Sequence, residues 1–164
     1  MKWPRMLLLA VIGALLAWAW VALHPSPERL IRKQLDGVAR AASFGPSQGY
    51  LAKLSGAESL AGFFSTNVEI NIDLPGHQEH RLAGREEIQQ AALAARASVR
   101  GVAVAFPDIT IVVNAGRESA LADLTLQAKV AGEPDMIVQE VKATLRHING
   151  QWLIVKVETV RTLQ

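Results

Sequence analysis

Between Met136 and Leu163 apolar residues alternate so regularly that a pair of β-strands is the structure best able to accommodate them. Val141, Ala143 and Leu145 recur at every second position of one run, Ile137 to His147, and Leu153, Val155 and Val157 do the same in the next, Trp152 to Arg161. Successive side chains of a strand point to opposite faces, so each run buries one face and exposes the other. Asn149-Gly150, between the runs, is a turn signal. A lone strand pair is unstable in water, and the rest of the chain must therefore supply its cover.

Register decides which residues share the buried face. A two-residue turn at Asn149-Gly150 would set Leu145 opposite Ile154 and Ala143 opposite Lys156, mixing apolar and charged positions. A three-residue loop, Ile148 to Gly150, pairs Leu145 with Leu153, Ala143 with Val155 and Val141 with Val157, and this is the register we expect. It sends Arg146, Trp152, Ile154 and Lys156 to the outer face, which becomes the candidate surface for a second copy or another protein.

The N-terminus carries an address. Met6 to Leu23 contains no charged residue, and as a helix it would reach roughly 27 Å, close to the hydrocarbon thickness of a bilayer. Trp3, Trp18 and Trp20 lie towards its ends, and Lys2 and Arg5 mark the N-terminal side as cytoplasmic. The expected organisation is a short cytoplasmic tail (1–5), a transmembrane anchor (6–23), a linker (24–27) and a folded domain (28–164) outside the cytoplasm, periplasmic in a bacterium. The competing reading is a signal peptide cleaved after Ala17-Trp18-Ala19, which would release the domain as a secreted protein. His24-Pro25-Ser26-Pro27 ends the apolar helix, because proline lacks a donor and restricts the residue before it.

From Glu28 the period becomes helical, with Leu30, Ile31, Leu35, Val38 and Ala42 on one stripe. One or two short helices interrupted at Gly56 follow, then a strand with Val68, Ile70 and Ile72 inward. A helix opens at Gly84, its packing face formed by Ile88, Ala91, Ala92 and Ala95 and its first turn by acidic residues suited to the positive end of the helix dipole. Val102 to Val113 reads as one long strand bent at Pro107-Asp108, and Ala122 to Val130 as another.

This order is α+β, with helices segregated to one side of an antiparallel sheet. Leu82-Ala83-Gly84-Arg85-Glu86-Glu87-Ile88 and Asn149-Gly150-Gln151-Trp152-Leu153-Ile154 resemble the third-helix entry and the last hairpin of the nuclear transport factor 2-like, or SnoaL-like, superfamily. The resemblance spans about Glu28 to Leu163. It implies a cone-shaped, cystatin-like α+β roll: a curved antiparallel sheet wrapped around the N-terminal helices, here behind one transmembrane helix. The superfamily holds ketosteroid isomerases, polyketide cyclases and dehydratases as well as members that only bind or assemble, so fold does not settle function.

Composition removes several classes. The chain has no cysteine, which excludes disulfides and thiolate chemistry. Lys2 and Arg5 account for its excess of 17 basic over 15 acidic residues, leaving the domain formally neutral with both signs interspersed. Nucleic-acid binders concentrate basic residues on one face, so that class is set aside. His77 and His80, with Glu79 between them, sit in a glycine-containing turn without a further ligand at a persuasive spacing and read as solvated residues, with no metal or cofactor implied.

Two candidate sites remain. In isomerase-like members of the superfamily a carboxylate base lies near the end of the first strand, and by that resemblance Asp73, eleven positions before Gly84, is the catalytic candidate. Its parity with Asn67, Glu69 and Asn71 argues instead for a turn aspartate pointing outward. Gln139 shares its parity with Val141 and Leu145, and Thr159 and Arg161 lie opposite it, which makes these three the candidate lining of a ligand pocket. The reading that follows is a membrane-tethered binding or assembly module, not an enzyme, that dimerises through its sheet and takes a small apolar ligand or a protein partner. The alternative is an isomerase or dehydratase with Asp73 as its base.

Overall fold

The computed structural model describes residues 11–13, 26–72 and 80–160. Within them three helices pack on one face of a seven-stranded sheet. The helices are α1 (Pro27–Ala42), α2 (Tyr50–Ala61) and α3 (Arg85–Ser98). The strands are β1 (Phe64–Ile72), β2 (His80–Ala83), β3 (Val102–Ala105), β4 (Ile109–Val113), β5 (Ser119–Val130), β6 (Met136–Ile148) and β7 (Gln151–Thr159). Of the expected span 6–23 only residues 11–13 are described, as helix; among the described residues no helix is long and apolar enough to cross a membrane.

Helix α1 begins where its sequence says it should. Ser26 caps it by accepting the Arg29 N–H at 3.4 Å, and Pro27 occupies the first turn, where its missing donor is not needed. Ile31, Leu35 and Val38 are buried, whereas Leu30, expected on the same stripe, is 41% exposed. Helix α2 runs unbroken through Gly56, contrary to the expected interruption. The glycine makes room for a neighbour, since a Cβ there would lie 3.2 Å from Nη2 of Arg96.

The entry to α3 explains the residues that carried the resemblance. Gly84 takes a positive φ of 89°, and Glu87 accepts the Ala83 N–H at 2.7 Å, satisfying a donor ahead of the first turn. Arg85 donates from Nε and Nη2 to the Phe64 carbonyl at 2.9 and 2.6 Å, tying the start of α3 to the start of β1.

The strand order is β2-β1-β7-β6-β5-β3, with β4 also on β5; the β1–β7 pair is parallel and the others are antiparallel. Strands β3 and β4 form one line along β5, as expected of a bent strand. Ala105 faces Gln127 and Ile109 faces Leu124, so three residues, Phe106 to Asp108, stand against two.

The last hairpin departs from expectation. Asn149 and Gly150 have φ of 50° and 81° and form a two-residue turn, with Ile148 opposite Gln151 and Leu145 opposite Ile154. The mixing of faces that argued against this register is removed by a bulge: Thr144 faces Lys156, so Val155 is one residue too many, and Ala143 then faces Val157. Lys142 consequently faces Glu158, whereas the three-residue loop would have set Lys142 opposite Lys156 and Glu140 opposite Glu158. Trp152 and Ile154, expected on the outer face, are 6% and 2% exposed and belong to the core, so they cannot form a partner surface. Of that set, Arg146 is exposed and Lys156 half-buried, 2.7 Å from Glu158.

Candidate functional site: an apolar cavity in the cone

The inward faces of β5, β6 and β7 meet the buried stripe of α1 in a cavity of about 270 Å3. Its size falls just below the range of small-molecule pockets, roughly 300–1,000 Å3, and suits a small ligand. From α1 come Leu35 and Val38, from β1 Phe64, Ile70 and Ile72, and from the bend after β3 Phe106. The register places Leu124 opposite Val141 and Leu126 opposite Gln139 on β5 and β6, with Thr159 opposite Val141 on β7. The Val155 bulge matters here, because it brings Ile154 and Val157, three positions apart, onto the same inner wall.

Among the described residues that line the cavity, Gln139 and Thr159 are the polar ones. Thr159, expected opposite Gln139, stands opposite Val141 instead. The Gln139 amide is turned to backbone, donating to Glu140 O at 3.2 Å and Val160 O at 3.5 Å, and the surface presented to the cavity is hydrocarbon. At this end β6 carries an exposed apolar run, Met136, Ile137 and Val138, each about half exposed, and Ile137 contributes to the lining. No Asp, Glu or His is among the described lining residues. Asp73 and Arg161 lie outside the described residues, as do His77 and Glu79; Asp73 directly follows the cavity-lining Ile72. Such a chamber can take up an apolar molecule by excluding water from it, and its described walls hold no group able to transfer a proton at neutral pH. Among the described residues no three His, Asp or Glu side chains converge as a metal site would require.

Sequence reasoning missed one buried charge. Arg96 is 2% exposed beneath α2, where its guanidinium donates to the Ala41 carbonyl at the end of α1 and to Ala92 O at 3.3 Å, and lies 5.0 Å from the centre of the Phe44 ring. Burial holds its pKa below the usual arginine value. The signal was present: Ile88, Ala92 and Arg96 recur at four-residue spacing, so the arginine shares the stripe that α3 buries. Its contacts are to helix carbonyls and an aromatic face, and they make it a structural clamp between helices.

No family model matches the sequence, and no curated protein does. Solved structures do match. A protein provisionally assigned as a scytalone dehydratase from Novosphingobium aromaticivorans superposes with a TM-score of 0.63 at 16% identity, over 83% of this chain and 84% of that one. A nuclear transport factor 2-like protein with a cystatin-like fold from the same organism gives 0.62 at 18% identity, over 92% and 86%. Another nuclear transport factor 2-like protein, of unknown function and from Pseudomonas putida, gives 0.60 at 10% identity, over 82% and 85%. At these identities the likeness establishes architecture and leaves activity open. The described domain therefore has the cystatin-like α+β fold of nuclear transport factor 2-like proteins, with a curved sheet closed over its helices.

Proposed function

We propose that this protein is a membrane-tethered binding module whose cone takes up a small apolar molecule, without catalysis. The observation that carries the reading is the cavity of about 270 Å3 whose described walls present hydrocarbon and no carboxylate or imidazole. Tethering is supported by the uncharged run Met6 to Leu23 and would hold the domain outside the cytoplasm. Alkaline carbonate extraction and N-terminal sequencing test it, and a mature chain beginning near Trp20 would exclude the anchor. Dimerisation through the outer sheet face is part of the same proposal: Val112 and Leu121 face each other across β4 and β5 there, 61% and 45% exposed. Light scattering of the detergent-solubilised chain measures the mass directly.

Binding is tested by titrating the full chain with the uncharged fluorophore N-phenyl-1-naphthylamine. Saturable enhancement is expected, and Val141→Phe, which extends a ring into the cavity, should weaken it about tenfold or more, the equivalent of about 1.4 kcal/mol. Equal enhancement in both proteins would place the probe elsewhere.

A second reading, a dehydratase or isomerase, draws support from the position of Asp73 directly after Ile72 and from the likeness to the provisional scytalone dehydratase. A base in an apolar chamber would titrate well above the usual aspartate value of about 3.9. Carboxyl 13C NMR, with Asp73→Asn to identify the signal, measures this, and an ordinary titration excludes the reading.

A further inference from the structure

The face of α1 that turns away from the cavity borders a second, polar hollow. Leu30, Lys33, Gln34, Gly37 and Arg40 follow one another at helical spacing and form one wall of a groove of about 630 Å3, closed on the other side by Gly150, Gln151 and Trp152. Phe63 forms part of its floor, admitted by Gly37: a Cβ there would meet the ring at 2.7 Å. Gln34 is engaged, donating from Nε2 to Trp152 O at 2.8 Å. Lys33 and Arg40 are both exposed, and neither has a hydrogen bond or ion pair to another described residue. They stand seven residues apart, about 10 Å along the helix, close enough for their long side chains to converge over Gly37. No acidic residue is among the described lining, which also includes the exposed Ser59 and Gln151.

Two cations without an ion pair, neutral donors and no carboxylate among the described lining suit an anion with several acceptor oxygens; Asp36, one helical turn from each cation, is exposed and pairs with neither. The groove also has an apolar lip, Leu30, which is 41% exposed at the end of α1 nearest the uncharged N-terminal run. A ligand both anionic and apolar-tailed fits that combination.

We propose that this groove binds the phosphate of an anionic lipid headgroup, with Lys33 and Arg40 on its oxygens and Leu30 against the first carbons of the lipid. The lipid as source rests on the membrane-tether reading; the phosphate chemistry of the groove does not. Bound in this way, α1 would be held against the bilayer, while the cavity opens on the opposite face of the same helix.

Because the chain has no cysteine, Ser59→Cys gives a single thiol on the rim. The full-length protein is reconstituted in vesicles of phosphatidylcholine, with or without an equal amount of phosphatidylglycerol, and its alkylation by N-ethylmaleimide is followed. Phosphatidylglycerol should slow the reaction about tenfold, as expected of a site nine-tenths occupied. The added substitutions Lys33→Gln and Arg40→Gln should abolish that protection while leaving fluorophore binding in the cavity unchanged, which shows that the fold is intact. Protection by glycerol 3-phosphate in phosphatidylcholine vesicles, with none from phosphatidylglycerol, would keep the phosphate site and overturn the lipid as its source. No protection in either arm, or protection that survives the double substitution, overturns the proposal. If carbonate extraction releases the chain, the tether fails by itself, and the glycerol 3-phosphate arm on the released protein still decides the groove.

Discussion

Leu145 lies opposite Ile154 across the last hairpin, one residue out of step with the register that pairs Ala143 with Val157. The step is the bulge at Val155, and it allows a tight Asn149-Gly150 turn and a continuous apolar inner wall to coexist on two strands.

That assignment makes an unusual prediction about a deletion. Removing Val155 leaves Ile154 opposite Leu145 and Lys156 opposite Thr144, so every other pairing survives. The fold should persist with a loss of roughly 1–3 kcal/mol in urea unfolding, the range of an ordinary destabilising change. Were the hairpin instead closed by a three-residue loop, the same deletion would turn Val157 and Thr159 to the wrong face and abolish cooperative unfolding.

Trp152 separates the two registers by a different measurement. Buried as it is, Trp152→Ala should cost about 3–5 kcal/mol of stability, read by circular dichroism in urea. An exposed partner-surface tryptophan would cost less than about 0.5 kcal/mol when truncated.

These residues also show what was legible in the sequence. Periodicity located Ile31, Leu35 and Val38 on α1 and Val68 and Ile70 on β1, because burial of one face leaves a repeat of fixed length. Gln139 and Thr159 line the cavity, but Thr159 faces Val141 and not Gln139, because the tight turn and the bulge together shift the register by two residues. It misassigned Trp152 and Ile154 because a bulge inserts one residue without requiring any particular type, so Leu153, Val155 and Val157 still look like an unbroken inward series. Arg96 was overlooked for the opposite reason: its position fits the buried stripe, but its charge makes burial look unfavourable until the carbonyls of Ala41 and Ala92 are seen to receive it. Asp73 and Arg161, the other two site candidates, lie outside the described residues.

Arg96 and Gly56 should be coupled. Gly56→Ala alone places a methyl group 3.2–3.3 Å from Nη2 and Nε of Arg96 and is expected to destabilise by about 1 kcal/mol or more. In an Arg96→Ala background, itself weaker by about 2–4 kcal/mol, the obstruction is gone and the same change should stabilise by up to about 1 kcal/mol through helix propensity. Urea unfolding of the four proteins of the double-mutant cycle measures the sign reversal, and simple additivity would contradict the clamp.

The central claim is that the interior of the cone is a binding chamber. Methyl NMR of the full-length chain in detergent, with isotope-labelled isoleucine, leucine and valine and unlabelled N-phenyl-1-naphthylamine, tests it most directly. Nuclear Overhauser contacts from the probe to Leu126, Ile137, Val141 and Val157 are predicted, and they should be lost in Val141→Phe. Contacts confined to the exposed Val112 and Leu121, with none to those four residues, would contradict the account.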